Sequence, residues 1–400
     1  MYLPRIIQHK KNIFKSKVPF VWVVLFLVLS GSALIYFIKI QSAKIETPVT
    51  IVKITLPPKK IIIPTEPVKP RYIPKPFSMA TLKTKGCVAD GVLSQYAGNT
   101  ESMVKLIDRS QCQYIHRALE TWLMPPDFTK AEEIMLKFKK TNLVFGMFIA
   151  EAIKKNADYF YPDENRDFDF SDMCRKNSED AWGAHTCKPN FENREYRKYI
   201  RYITQKAMDI GVQSFLFGQV YLQDESDLEK SELPKIIQEM RAYAKELGIQ
   251  IVVGAQTGYI TDDAYLENFD YIEGGVGMDN DGNIEDGPCL SWRGGCWALL
   301  WNDRFRSRSK DVFIHLDWSG IPSDDMSRFA RMDQSQRAKT LKNFYRFFIS
   351  KNMGFLMPML SPLYKDNNGC YGPKKRFYSP DKKYSCQDEN VINDILGGKF

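Results

Sequence analysis

Beyond residue 110 the chain alternates short apolar runs with longer stretches in which apolar residues recur every three or four positions. The first pattern predicts buried strands and the second predicts helices with one buried face. Eight strands are predicted, at residues 113–121, 143–151, 212–223, 249–257, 270–276, 297–302, 311–318 and 354–360. The clearest helices lie at residues 129–140, 194–210, 232–247 and 334–350. Strands that alternate with helices indicate an α/β fold with a parallel sheet. Eight of them predict a (β/α)8 TIM-type barrel, with an open doubly wound sheet as the alternative.

Residues 18–38 form an apolar run without a charged residue. As a helix this run would extend roughly 31 Å, close to the hydrocarbon thickness of a lipid bilayer. Residues 1–17 are basic, which favours a cytoplasmic tail. The sequence therefore predicts a single-pass transmembrane signal-anchor, with the C-terminal domain in the periplasm or outside the cell. A cleaved signal peptide is the alternative, which the length of the run disfavours.

The segment that follows, residues 39–85, is rich in proline, with eight prolines between residues 46 and 79. Proline lacks the backbone N–H and has a fixed φ, so this segment is predicted to be an extended stalk rather than a helix or a central strand. Residues 86–400 are then the extracytoplasmic barrel domain.

The formal charge of +8 belongs to the amino-terminal part of the chain. Residues 1–85 hold 15 lysines and arginines and two acids, which leaves 41 basic and 46 acidic residues for the rest. Nucleic-acid binding depends on clustered basic side chains that contact phosphates. The mildly acidic domain is therefore not expected to bind nucleic acid.

All cysteines of the chain lie beyond the predicted membrane segment. They are Cys87, Cys112, Cys174, Cys187, Cys289, Cys296, Cys370 and Cys386. An even number on one side of a membrane indicates disulfides in an oxidising compartment. Pairing in sequence order is plausible because each pair would bracket one loop. A zinc site is the alternative, but no CxxC motif is present.

In a barrel of this kind the loops after the strands build the functional face. Long segments follow the second, fifth, seventh and eighth predicted strands, and three of the proposed disulfides fall in them. Glu151, Glu273 and Asp317 lie at or near strand ends where side-chain alternation directs them inward. Several inward carboxylates at one rim suggest a catalytic site, although each alone could be a structural ion pair or a helix cap.

Aromatic and amide side chains at the same strand ends are candidates for substrate binding. Trp and Tyr offer flat apolar faces on which sugar rings pack, together with a polar group. The predicted substrate-binding residues are Trp122, Trp301, Trp318, Tyr221, Gln219, Gln256, His315 and Glu120.

Residues 110–360 resemble the (β/α)8-barrel glycoside hydrolases. The resemblance rests on the strand count, on the tryptophans and on rim acids in the stretches IEGG (272–275) and HLDWSG (315–320). It implies hydrolysis of O-glycosyl bonds in a polysaccharide, a cell-wall glycan or a surface glycan. Glu273 would be the acid/base, Asp317 the nucleophile or base, and Glu151 would hold sugar hydroxyls, with exchange of these roles possible. The chain departs from such enzymes at Gln256, where a strand ends in an amide instead of an acid.

Three further hypotheses remain open from the sequence. The domain could be a non-catalytic barrel that binds glycans, which Gln256 favours. It could also cleave phosphodiesters, because Ile115-His116-Arg117 resembles part of the His-Arg motif of glycerophosphodiester phosphodiesterases. No cofactor is expected apart from a possible structural Ca²⁺ in two acidic loops, 163–169 and 279–282, which also fit Asx turns.

Overall fold

The computed structural model describes residues 71–399 except 97, 225–227, 259, 261, 285–310, 319, 365–368 and 373–375. A curled, predominantly parallel sheet lies at the centre of this part of the chain. Its parallel strands are β1 Gly86–Ala89, β2 Tyr114–Glu120, β3 Val144–Ile149, β4 Ser214–Phe217, β5 Val252–Ala255, β6 Tyr271–Gly275, β7 Asp311–His315, β8 Gly354–Phe355 and β9 Met357–Pro362. The order across the sheet is β8-β7-β6-β5-β4-β3-β2-β1-β9, followed by Phe377–Tyr378, which runs antiparallel to β9.

Strands β8 and β9 are separated by a single residue, Leu356, whose amide donates to the carbonyl of Ile314 in β7. Strand β8 pairs with β7, while β9 pairs with β1 in the register Cys87 to Met357. One short stretch of chain therefore hydrogen-bonds to the first strand on one side and to the seventh on the other. The carboxyl ends of the parallel strands consequently face the same end of the curled sheet.

Amphipathic helices cover the outside of the sheet. They are α1 Met79–Thr84, α2 Thr100–Arg109, α3 Phe128–Met135, α4 Arg194–Asp209, α5 Leu233–Leu247, α6 Gln334–Ser350 and α7 Glu389–Leu396. Helix α6 begins with a capping box, in which the Asp333 side chain accepts from the Gln336 amide and the Gln336 side chain accepts from the Asp333 amide. The predicted α/β class and parallel sheet are confirmed, as are the four predicted helices.

Seven of the eight predicted strands fall in the described residues, and each contains an observed strand. The eighth, 297–302, lies outside them. The predicted strand 212–223 was too long, because its last four residues form a short helix, Val220–Gln223. One parallel strand of the central sheet is absent from the prediction, namely β1, whose four residues are too few to show a periodic pattern. The predicted first strand is therefore the second strand of the sheet, and the strand that ends near Gln256 is the fifth.

Two clusters of buried apolar residues separate the inner and outer faces of the sheet. The inner cluster contains Leu82, Val88, Tyr114, Val144, Phe148, Leu216, Val252, Tyr271, Phe313 and Leu356 among others, and the larger outer cluster lies under the helices. Side-chain alternation predicts Tyr271 and Phe313 on the inner face, and this prediction is confirmed for β6 and β7. It also predicts the inner face for Phe145 and Met147 in β3 and for Phe215 and Phe217 in β4, and this was wrong, because these four residues belong to the outer cluster. Both faces of these strands are apolar, so the sequence gives no signal that distinguishes inside from outside.

The end of the predicted stalk is packed on the domain. Tyr72 donates a hydrogen bond to the carbonyl of Leu143, and its ring meets Phe145 edge-on at 5.3 Å between centroids. Helix α1 follows, and its Lys83 forms an ion pair with Asp311. Residues 71–85 therefore contribute contacts to the domain, although the sequence assigned them to the stalk.

The predicted tail and anchor, residues 1–17 and 18–38, lie outside the described residues. Within residues 71–399, as far as the structure describes them, no helix has both the length and the apolar character needed to span a bilayer.

Three of the four predicted disulfides are present, between Cys87 and Cys112, Cys174 and Cys187, and Cys370 and Cys386. The predicted pair of Cys289 and Cys296 lies outside the described residues. Disulfides of this kind are consistent with a domain in an oxidising compartment outside the cytoplasm.

Removal of the first disulfide is expected to destabilise the fold. Cys87 in β1 and Cys112 before β2 are 25 residues apart and fully buried. The closed loop restricts the unfolded chain, so the double substitution Cys87→Ala/Cys112→Ala should lower the free energy of unfolding by about 3 kcal/mol. Urea titration without reductant would measure this loss. An unchanged midpoint would show that the cross-link contributes nothing.

Candidate active site

A cavity of about 440 Å³ opens at the carboxyl ends of the strands. Such a volume lies within the range of small-molecule sites. Its walls combine carboxylates, amides and aromatic rings from seven strand ends and loops. They are formed by Asp90, Tyr96, Arg117, Glu120, Trp122, Phe148, Glu151, Trp182, Gln219, Gln256, Asp317, Trp318, Gly320, Pro362 and Phe377. This cavity is called the rim pocket below.

Arg117 organises one wall of the rim pocket. It has a positive φ of 55° at the point where the register between β2 and β3 shifts. Its Nε lies 2.8 Å from Glu120 Oε1 and 3.2 Å from Asp90 Oδ1. The guanidinium carbon also lies 3.7 Å from the centre of the Phe148 ring and 4.6 Å from that of Trp318. The strained backbone thus directs one cation between two acids and two aromatic rings.

Asp90 and Glu120 share this cation. Burial raises the pKa of Asp90 well above its usual range, and the nearby Glu120 carboxylate raises it further despite the opposing effect of Arg117. Burial also raises the pKa of Glu120, although Arg117 lowers it. Both buried carboxyl groups around this one guanidinium therefore hold a proton more tightly than they would in water.

Glu151 lies opposite, just after the end of β3, and is 2% exposed. Burial raises its pKa to about 7. Its Oε1 accepts a hydrogen bond from the Gln219 side chain, while its Oε2 has no hydrogen-bond partner among the described residues. A carboxyl group that is half protonated near neutral pH is suited to donate a proton in a reaction.

Glu273 lies beneath the rim pocket, where it is completely buried, and does not line it. Its Oε1 lies 3.1 Å from His315 Nε2, and its Oε2 contacts His116 Nε2. Burial lowers the pKa of His116 despite this carboxylate, which favours the neutral form of that ring. Despite burial, the two histidines hold the pKa of Glu273 well below its usual range. The other ring nitrogen of His315 lies 3.0 Å from the carbonyl oxygen of Leu316. The Glu273 carboxylate raises the pKa of His315 against the effect of burial, which favours the charged form of this histidine.

The buried ion pair is connected to the rim pocket through two glutamines. Gln256 donates from Nε2 to Glu273 Oε1 at 3.0 Å, and its own Oε1 accepts from the Gln219 backbone amide at 3.3 Å. Gln219 has an unusual backbone, with φ 20° and ψ 62°, and its side chain donates to Glu151. Tyr221 donates to Gln219 Oε1 at 2.7 Å. The amides thus fix the position of the Glu151 carboxyl group.

The structure brings together most of the predicted site residues. Seven of them line the rim pocket, namely Glu120, Trp122, Glu151, Gln219, Gln256, Asp317 and Trp318. Glu273 and His315 lie below the rim pocket. The sequence predicted Glu273 at the mouth of the barrel and His315 in contact with substrate. Tyr221 contacts Gln219 without lining the rim pocket, and Trp301 lies outside the described residues.

Sequence reasoning overlooked Asp90, Tyr96, Arg117 and Phe148 as pocket residues. Asp90 directly follows β1 in the stretch Gly-Cys-Val-Ala-Asp, so an acid after a short apolar run was the available signal. Arg117 could not have been found in the same way, because strand alternation predicts it on the opposite face from His116 and the register shift is not visible in the sequence.

Aspartate side chains of the two acidic loops, 163–169 and 279–282, accept local hydrogen bonds from backbone amides. Asp279 Oδ1 accepts from the amides of Asp281 and Asn283 at 2.9 and 2.8 Å, and Asp169 Oδ1 accepts from the amide of Ser171 at 2.9 Å. These are Asx turns. No group of three or more His, Cys, Asp or Glu side chains in the described residues has an arrangement that could hold a metal ion.

Comparisons with known proteins give structural likeness alone. No family model matches the chain, and no curated protein matches it in sequence. Among solved structures, the isomalto-dextranase of Arthrobacter globiformis T6 complexed with panose is 10% identical, covering 78% of this chain and 57% of that one, with a TM-score of 0.44. The glycoside hydrolase family 5 enzyme PbGH5A of Prevotella bryantii B14 is 8% identical, covering 83% and 100%, with a TM-score of 0.43. A GH27 β-L-arabinopyranosidase of Geobacillus stearothermophilus is 15% identical, covering 70% and 72%, with a TM-score of 0.38.

The solved structures that the chain resembles are glycoside hydrolases, the class that the sequence resembles. This is a likeness at low identity, and neither residues nor substrates are transferred from these structures.

Gly218 gives a direct test of how tightly the rim pocket is built. A Cβ at this position would lie 2.4 Å from Glu151 Oε2 and 2.6 Å from Phe148 Cζ. Gly218→Ala should therefore displace both side chains and lower the free energy of unfolding by about 1–3 kcal/mol. In a double-mutant cycle Phe148→Leu should offset part of this loss, because it removes the outer ring atoms. Full additivity of the two changes would contradict the contact.

The raised pKa of Glu151 predicts a pH-dependent stability. The folded carboxyl binds its proton more tightly than an unfolded glutamate, whose pKa is about 4.3. The stabilising contribution is therefore complete below that value and is lost as the pH rises through about 7. Over this window the unfolding free energy of the native chain should fall relative to that of Glu151→Gln by up to about 3 kcal/mol. Urea titrations of both chains at several pH values test this, and parallel curves would refute it.

Proposed function

We propose that the chain hydrolyses glycosidic bonds of a polysaccharide, cell-wall glycan or surface glycan in the rim pocket. The observation that carries the proposal is a buried acid with a pKa of about 7, Glu151, in a pocket that also contains Asp317 and several aromatic rings. Glycoside hydrolysis needs two carboxyl groups in opposite protonation states beside the bond that breaks. Trp122, Trp182 and Trp318 supply the flat apolar faces on which sugar rings pack.

In the proposed reaction the protonated Glu151 donates its proton to the glycosidic oxygen, and the bond from that oxygen to the anomeric carbon breaks. The leaving sugar departs as an alcohol. Asp317 acts as the second carboxylate, either by attacking the anomeric carbon or by taking a proton from the attacking water. One water molecule is consumed, with its OH on the new reducing end and one of its protons restored to the catalytic carboxyl groups. Glu120 and Asp90 would accept hydrogen bonds from sugar hydroxyls.

The proposal includes the architecture that the sequence predicts. The pairing of β8 with β7 and of β9 with β1 supports a closed (β/α)8 barrel whose mouth is the rim pocket. We also propose that residues 18–38 anchor the chain in a lipid bilayer with the domain outside the cytoplasm, because the three disulfides suit such a compartment.

A panel of polysaccharides tests the activity. The full chain and its double variant Glu151→Gln/Asp317→Asn would be incubated with neutral, amino-sugar and uronic-acid polymers, and new reducing ends would be counted. Release of reducing ends by the native chain and not by the double variant is expected for at least one polymer. Absence of release from every polymer would overturn the proposal.

The same variants separate hydrolysis from glycan binding. Cleavage of phosphodiesters is disfavoured, because His116, the histidine of the His-Arg motif, is buried against Glu273 beneath the rim pocket. A non-catalytic glycan-binding barrel would bind a polymer without releasing reducing ends. The native chain and the double variant Glu151→Gln/Asp317→Asn would then be equally inactive.

A further inference from the structure

A second, smaller cavity lies beside the rim pocket and is called the side cavity below. Its volume is about 200 Å³. Sites for drug-sized ligands have volumes of roughly 300–1,000 Å³, so the side cavity suits one small unit rather than a long segment. Tyr96 and Glu120 line both cavities. A chain molecule that leaves the rim pocket across these two side chains would therefore enter the side cavity.

The loops that follow β1 and β2 each contribute to both cavities. After β1, Asp90 lines the rim pocket, while Ser94 and Gln95 line the side cavity. After β2, Trp122 lines the rim pocket, while residues 124–127 line the side cavity. The side cavity thus belongs to the same functional end of the sheet as the rim pocket.

Hydrogen bonds fix the wall between the two cavities. The Glu120 backbone amide donates to Ser94 Oγ at 3.0 Å, which ties the loop after β1 to the end of β2. The Tyr96 hydroxyl donates to the Trp122 carbonyl at 3.3 Å, and Arg117 Nε lies 2.8 Å from Glu120 Oε1. The wall is therefore formed before a ligand arrives, and binding there costs little ordering of the protein.

The side cavity combines apolar rings with hydrogen-bonding groups. Tyr96, Pro125 and Pro126 offer ring surfaces against which the C–H face of a sugar can pack. Gln95 supplies an amide from a backbone with φ 59°, an uncommon value for this residue type. The Lys130 ammonium lies 3.0 Å from Glu133 and has further N–H groups to donate. Rings and donors together suit a hydroxylated ring.

We propose that the side cavity binds a further unit of the glycan chain whose glycosidic bond lies in the rim pocket. The chain would cross Tyr96 and Glu120 from one cavity to the other. Oligomers long enough to fill both cavities would consequently be preferred over dimers. This inference deepens the proposed function and rests on it for the nature of the ligand.

Oligosaccharides of two lengths test the inference. The probes are cello-, manno-, xylo- and chito-oligosaccharides of two and of five units, titrated by calorimetry into the full chain carrying Glu151→Gln, so that no probe is cleaved. In at least one series the five-unit member should bind about tenfold tighter or more than the two-unit member.

Two further substitutions locate that preference. Lys130→Trp fills the side cavity, and Gln95→Gly removes an amide at a positive φ that glycine adopts without strain. Each should lower the ratio of the two affinities by about threefold or more. Lys137→Trp, which adds the same bulk at an exposed residue outside the described walls of both cavities, should leave the ratio unchanged.

A ratio that falls in neither variant, or that falls equally in Lys137→Trp, would overturn the inference, as would equal binding of both lengths or binding of no probe. Its failure is distinct from failure of the hydrolase proposal. Release of reducing ends by the native chain without a length preference removes the inference and keeps the hydrolase. A length preference that depends on the side cavity, in a chain that releases no reducing ends, does the reverse.

Discussion

Replacement of Glu273 by glutamine is expected to lower the free energy of unfolding by about 3–5 kcal/mol. The substitution keeps the shape of the side chain but removes the negative charge that lies between His116 and His315 in the interior. His315 would then be a buried cation without a counter-charge, or would have to lose its proton beside the carbonyl of Leu316 and an amide. Either result is unfavourable, because removal of one partner leaves the desolvation cost of the other.

Urea titration near neutral pH measures this loss. Glu239→Gln is the matched control, because Glu239 is paired with Arg201 at 2.8 Å but its side chain is 48% exposed. Loss of that exposed ion pair should cost no more than about 1 kcal/mol. If the two variants were equally stable, the buried pair would have no role in holding the strands below the rim pocket.

The second large effect concerns catalysis. Glu151→Gln should reduce kcat by about 10²–10⁴-fold on any polymer that the native chain cleaves, because an amide cannot donate the acidic proton. The native activity should decline as the pH rises above about 7, where the carboxyl group loses its proton. The residual activity of the variant should lose this decline, since Gln does not titrate.

Reducing-end assays across pH, on both chains and on Glu164→Gln, make this measurement. Glu164 lies in the same loop after β3 but outside the rim pocket, so its variant should match the native profile. Native-like activity of Glu151→Gln with an unchanged pH profile would assign the acid role to another group.

The fold was predictable from the sequence where apolar runs are long. Helices α4 and α6 were found almost to the residue, because each shows a sustained apolar face. Strand β1 was not, since Gly86–Ala89 is a short, fully buried stretch. The predicted count of eight strands includes residues 297–302, which lie outside the described part of the chain, and lacks β1.

The site was predictable only in part, because the depth and direction of its side chains depend on how the sheet curls. Glu151 and Asp317 could be found because each follows an apolar strand and precedes a long loop. Glu273 follows the same pattern but lies lower in the curled sheet, within reach of two histidines on other strands. The depth of Glu273 cannot be inferred from the local sequence. The same holds for the positive φ that directs Arg117 between Asp90 and Glu120.

The amide at Gln256, which departs from the glycoside hydrolase pattern, has a structural explanation. It donates to Glu273 and accepts from the Gln219 backbone, so it needs both a donor and an acceptor. A carboxylate at this position would face Glu273 with a second negative charge. The amide therefore suits a linking role between the buried ion pair and the Glu151 side of the rim pocket.

Isotope incorporation from labelled water tests the central claim most directly. The native chain would be incubated in H₂¹⁸O with a polymer that it degrades, and the products analysed by mass spectrometry. The account predicts one ¹⁸O at each new reducing end, formed at a rate that falls in both Glu151→Gln and Asp317→Asn. Products that carry an unsaturated sugar without the label, or label incorporation that survives both substitutions, would contradict it.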